Sequence, residues 1–300
     1  MCIRDRIKKR PDSAVAHYLL GRAYAGVGDR AGLKRQLEKT IELEPSHLAA
    51  RIALARLLLL EGKKDQVTEQ LAVIDEQSPD HPEVLRLKAS LARAQGDQAR
   101  ASALLDDVFE ASPSTASMLS VARQKWTMGD QAAALELQED WVEDNPDDVA
   151  ATLALAGSYS QQDRVEPAIA QYQQALEQDA QNVTALNGLA WHLRESQPAK
   201  ALEYAERAAE LAPDSVLVMD TLAVVLLNNG QVERARRTIA RVYQKEPNAP
   251  TVRYHRAMID AAAGDTAVAI ETLKALLGEG GEFAEKAEAQ QLLAELESGR

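Results

Sequence analysis

The sequence predicts an all-α fold: a right-handed α-solenoid of about eight helix-turn-helix repeats with a C-terminal capping helix. Three observations carry that prediction. Pro11, Pro45, Pro79, Pro113, Pro146, Pro213 and Pro247 recur every 34 or 33 residues, with Ala180 where one more is due. Gly28, Gly62, Gly96, Gly129, Gly230 and Gly264 keep step, each 17 residues ahead of its repeat's closing position. Between these punctuators the apolar residues fall at helical spacing on one stripe. Self-similarity at such a period marks stacked helical hairpins, each packing only on its neighbours.

Within a repeat, the first helix takes positions 1–14 and the second 16–30. Glycine at position 15 ends the first helix, because it accepts the left-handed backbone that other residues resist. Aspartate follows in Gly28-Asp29, Gly96-Asp97, Gly129-Asp130 and Gly264-Asp265, placed to cap the second helix. Proline at position 32 then stops that helix, since it lacks an N–H and restricts the residue before it.

Eight repeats follow in order: 14–47, 48–81, 82–115, 116–148, 149–181, 182–214, 215–248 and 249–281. Repeats 1 and 2 carry a large-small-large set on the first helix, Leu20-Gly21-Tyr24 and Leu54-Ala55-Leu58. Their second helices answer with Leu33-Leu37-Thr40 and Val67-Leu71-Ile74. The small residue lets two helices approach while the large ones fill the space between repeats. Repeats 3 and 4 put Lys88 and Lys125 at packing positions, and repeat 5 has Asp163 for the glycine. Repeat 6 loses one residue around Ser196-Gln197-Pro198, repeat 7 returns to Leu222-Ala223-Leu226, and repeat 8 places Asp260 where an apolar residue is due. The tail 282–300 reads as one more amphipathic helix, with Ala284, Ala287, Leu292, Leu293 and Leu296, covering the apolar face of the last repeat. At the other end, residues 1–6 resemble the translation of a transposase adapter end, and residues 7–13 read as the tail of a truncated repeat.

The 34-residue period and these packing sets resemble the tetratricopeptide repeat (TPR) family over residues 11 to about 280. A narrower resemblance lies in ALNGLAWHL (185–193), ALEYAERAAELAPDS (201–215), MDTLAVVLLNNGQVERA (219–235) and VRYHRAMIDAAAGD (252–265). These segments are similar to the C-terminal repeats of the TPR lipoprotein of PEP-CTERM/exosortase and bacterial exopolysaccharide systems. That likeness implies a bacterial envelope protein, periplasmic or attached to the outer membrane, held by a lipid on an N-terminal cysteine that this fragment lacks.

Forty-six acids against 34 bases leave a net charge of −12. Residues 1–146 hold 23 acids and 20 bases, and residues 147–300 hold 23 and 14, so the second half carries most of the excess. An acidic chain argues against nucleic acid as the partner, because phosphate binding needs clustered positive charge. No apolar run approaches the eighteen or so residues of a membrane span. The single cysteine, Cys2, excludes a disulfide framework.

Nothing points to catalysis or to a cofactor. His17 and His47 fall in repeat 1, and His81, His192 and His255 come one each in repeats 2, 6 and 8; none has the i, i+4 spacing of a zinc site. His47 and His81 read as solvated residues of the turn after the proline, and the other three as packing or groove residues. Binding is the better expectation. In the TPR family, positions 2, 5, 9, 12 and 13 of the first helix line an inner groove. By register, repeats 1–4 supply Tyr18, Arg22, Arg56, Arg86, Arg93, Arg123 and Trp126 there. Repeats 6–8 supply Asn187, Trp191, Asp220, Tyr254 and Met258. Arginines in an otherwise acidic chain suit an acidic peptide, through paired hydrogen bonds and stacking; the second set suits a peptide or saccharide. The expected function is a scaffold holding an extended partner segment. A cytoplasmic adaptor or chaperone-like protein, and the targeting arm of an enzyme whose catalytic domain lies upstream, are the alternatives.

Overall fold

The computed structural model describes residues 11–298 and contains, among them, seventeen α-helices and no strand. The expectations for residues 1–6, and for the repeat tail before Pro11, lie outside the described residues. The chain divides into two compact units, residues 1–143 and 144–300.

The N-terminal unit stacks four hairpins: α1 (Ala14–Gly26) with α2 (Arg30–Leu43), α3 (Leu48–Leu60) with α4 (Lys64–Asp75), α5 (Pro82–Gln95) with α6 (Gln98–Glu110), and α7 (Thr115–Thr127) with α8 (Gln131–Asp144). Its largest apolar cluster takes Leu37 from α2, Leu54 and Leu58 from α3, Val67 and Leu71 from α4, and Leu87 and Leu91 from α5. No single hairpin owns that core. Burying each such side chain contributes about 1.5–3 kcal/mol, and most of it is realised only when the next hairpin arrives. The C-terminal unit repeats the scheme with α9 (Val149–Gln161), α10 (Val165–Gln178), α11 (Val183–Leu193), α12 (Pro198–Leu211), α13 (Val216–Asn228), α14 (Val232–Lys245), α15 (Pro250–Ala262) and α16 (Thr266–Gly278). Ala156, Ala190 and Ala223, small residues on the first helices α9, α11 and α13, are fully enclosed.

The punctuation works as its chemistry requires. Gly96 has φ of 86° and ends α5, while in the fifth repeat Asp163 takes the same left-handed turn at φ of 55°. Asp29, Asp97 and Asp130 accept from backbone N–H groups in the first turns of α2, α6 and α8. Asp265 does not cap α16; its carboxylate is taken by Arg236. His47 and His81 are not free turn residues. Each caps a first helix, with Nδ1 accepting from Ala50 N–H and Glu83 N–H at 3.2 Å. The shortened turn of the sixth repeat ends α11 at Leu193 and starts α12 on Pro198, which at the first helical position needs no N–H.

The three charged intrusions are paired. Lys125 is 2 % exposed, yet its Nζ lies 2.7 Å from Asp106 and donates to Ser102 Oγ at 2.9 Å. Lys88 pairs with Asp75 at 2.7 Å, and Asp260 lies between Arg236 and Arg256.

After α16 the chain does not re-enter a helix at residue 282. The last helix, α17, spans Lys286–Ser298. Ala284 and Ala287 are exposed, and Phe283, Ala289, Leu292, Leu293 and Leu296 pack on Ala257, Ala269 and Leu273 instead.

Two stability predictions follow from the turn and the buried lysine. A Cβ at Gly96 would meet nothing within 4 Å, so Gly96→Ala should cost only the backbone strain, about 1 kcal/mol, in urea denaturation. Asp163→Gly should raise stability by a few tenths to about 1 kcal/mol; a loss would show the turn to be unstrained. Lys125→Met should stay within about 1 kcal/mol of wild type, because Asp106 is half exposed and can be solvated. Lys125→Ala should lose about 2 kcal/mol or more, since it leaves a cavity as well.

Candidate partner-binding surfaces

In the N-terminal unit the candidate residues sit on the first helices α1, α3, α5 and α7, but they do not form one uniform row of free cations. Arg56 is ion-paired with Glu83 of the next first helix. Arg86 donates to Ser120 Oγ at 3.0 Å. Arg22, Arg93 and Arg123 are exposed and make no hydrogen bond or ion pair through their side chains among the described residues. Tyr18 is half-buried, with its ring centroid 4.9 Å from that of His47, and packs against the core of its unit. Trp126 is half-buried near the end of α7. Exposed guanidinium groups without a side-chain partner are therefore those of Arg22, Arg93 and Arg123, while half-buried Arg86 keeps its charge but has its donor engaged by a neutral hydroxyl.

In the C-terminal unit the fold gathers Trp191, Asp220 and Tyr254 around a residue outside the candidate set, His255. Its ring centroid lies 5.9 Å from Trp191 and 5.6 Å from Tyr254, and its Nδ1 donates to Asp220 Oδ2 at 2.8 Å. Arg194 also contacts Trp191: its guanidinium stands 4.0 Å over the Trp191 ring, and its Nη1 donates to the Trp191 carbonyl at 2.8 Å. Asp220 was expected to line a groove, but it is only 7 % exposed and is committed to His255. Asn187 Oδ1 and Asp220 Oδ1 are buried and accept no hydrogen bond among the described residues. Met258 is half-buried on α15. The sequence did contain a signal for His255. It stands 35 residues after Asp220, one repeat and one residue on, which is where a neighbouring first helix places its contacts.

A second histidine site lies beside this cluster. Ser160 Oγ donates to the Ala156 carbonyl at 2.9 Å, so it accepts from His192 Nε2 at 2.7 Å. Burial pushes the His192 pKa below its ordinary value, and the nearby Arg194 charge pushes the same way. Burial likewise raises the Tyr254 pKa, reinforced by Glu288 and Glu285. Among the described residues, no three His, Cys, Asp or Glu side chains gather as metal ligands. Among the same residues, no helix is long and apolar enough to cross a membrane.

The lowered His192 pKa gives a signed prediction. The unfolded chain takes up this proton more readily than the folded one, so the contribution is present above about pH 6.5 and is lost as pH falls through the folded value. Urea midpoints measured from pH 7.5 to 5 should fall more steeply for wild type than for His192→Asn. Parallel curves would mean that His192 titrates alike in both states.

One family model described as tetratricopeptide repeat matches residues 34–91 and 192–259, and a second with the same description matches 122–182 and 153–216. No curated protein matches the chain. Among solved structures, a tetratricopeptide repeat protein from Parabacteroides merdae is 15% identical; the match covers 94% of this chain and 98% of that one, with a TM-score of 0.48. A chain of the APC/C hetero-tetramer Cut9–Hcn1 is 13% identical, covered over 89% of this chain and 52% of its own length, with a TM-score of 0.54. The second likeness concerns the fold alone. Helical hairpins at this period, matched by repeat models over more than half of the residues, have one meaning: the chain belongs to the tetratricopeptide repeat family.

Proposed function

We propose that the chain is an interaction scaffold whose first helices hold an extended segment of a partner protein, and that the N-terminal unit selects an acidic one. The repeat fold supports a protein–protein scaffold. The single observation that carries the finer reading is the exposure of Arg22, Arg93 and Arg123 without an anionic partner, in a unit where Arg56 has already found Glu83. Unpaired guanidinium groups are available for bidentate contacts to carboxylates. Changing Arg93 and Arg123 together to alanine should leave helicity and melting unchanged while weakening partner affinity, with a shallower salt dependence than wild type. An unchanged affinity and salt slope would place recognition elsewhere.

A bacterial envelope setting, in polysaccharide export or PEP-CTERM protein sorting, is the pathway we infer. What supports it is the likeness of segments 185–193, 201–215, 219–235 and 252–265 to the repeats of the lipoprotein of those systems. Fractionation of the source cells should then recover the native protein with the envelope. Recovery in the cytosol would favour the adaptor alternative.

A further inference from the structure

Two clefts open on the N-terminal unit, and none of the candidate arginines lines them. One, of about 410 Å³, lies among α2, α3 and α4; the other, of about 420 Å³, lies among α4, α5 and α6. They occupy the same register one repeat apart. Thirty-four residues separate Leu54 from Lys88, Ile41 from Asp75 and Gln66 from Arg100, each pair lining the first and second cleft in turn.

The chemistry differs at those matched positions. The first cleft is apolar at Leu54 and Ile41, and its charged lining is Glu38 and Glu69. The second holds the Lys88–Asp75 ion pair at 2.7 Å and carries Arg100, which is exposed and makes no side-chain hydrogen bond or ion pair among the described residues. Its floor keeps apolar surface from Leu71, Leu91 and Leu104. With Lys88 answered by Asp75, one positive charge is left over an apolar floor. The volume falls in the range that holds compact ligand groups, and the net charge selects an anion.

We propose that the second cleft is a docking site for a partner segment presenting a leucine-sized side chain next to a carboxylate. The apolar side chain fills the floor, and the carboxylate pairs with Arg100 at the rim. The first cleft, of similar volume and opposite charge, does not take this segment. The site rests on the scaffold reading in needing a protein partner, but uses different residues from the exposed arginines of α1, α5 and α7.

The test is an NMR titration of the full chain, labelled at leucine methyl groups, with a blocked Glu-Leu-Leu-Asp peptide and its Gln-Leu-Leu-Asn counterpart. The acidic peptide should shift the methyl signals of Leu71, Leu91 and Leu104 and leave those of Leu54 and Leu58 in place. The amide peptide should bind several-fold more weakly. Arg100→Gln should weaken the acidic peptide by about fivefold, the order of one exposed ion pair, and Arg100→Lys should recover most of the loss. The Arg93→Ala, Arg123→Ala protein should bind the peptide as wild type does, which separates failure of this site from failure of the arginine surface. Equal binding of the two peptides, shifts centred on the first cleft, or no shifts at peptide saturation would each overturn the proposal.

Discussion

An amphipathic hairpin cannot bury its own apolar face, and every other feature of this chain depends on that constraint. Leu37, Leu54, Leu71 and Leu87 belong to four different helices and share one cluster. In the C-terminal unit, Leu186, Ala208 and Val218 do the same for α11, α12 and α13. A core divided this way makes stability a property of seams between repeats, and it forces the period: a hairpin of another length would lose register with its neighbour. The small residues enclosed on first helices are the other half of the constraint, since close approach leaves no room for a larger side chain.

The same geometry sets where polar groups meet. Arg86 and Ser120 are 34 residues apart, and Thr251 and Glu285 likewise. Ties between second helices and the following hairpin recur at slightly shorter separations, as in Lys34–Glu61 at 27 and Arg234–Glu206 at 28. Charges that replace apolar packing residues survive because a partner arrives from the adjoining helix. Lys125 is the clearest case, held by Ser102 and Asp106 of α6. Such pairs recover desolvation more than they add stability. They do fix which repeat sits beside which, since a slip would strand the charge.

Much of this was legible in the sequence. The glycine and proline series place the helix ends, because those residues act through backbone geometry that no partner can alter. Even Asp163 obeyed the turn, although it lacks the freedom of glycine. What escaped was side-chain commitment. His47 and His81 look solvated by position, yet their ring nitrogens cap helices. Asp220 looks exposed by register, yet it is enclosed with His255. Arg56 and Arg93 look alike in sequence, and only the rotamer and neighbour decide that one is answered by Glu83 while the other is free. The repeat period predicts which residues can meet, and the packing decides which of them do.

Native-state hydrogen exchange on a Leu87→Ala variant tests the seam account most directly. Leu87 is buried on α5 within the cluster that α2, α3 and α4 also build. If stability resides in the seams, the amides of α3 and α4 should lose protection together with those of α5 and α6, while α1 changes less. Loss of protection confined to α5 and α6 would mean that each hairpin is stable alone, and would contradict the account.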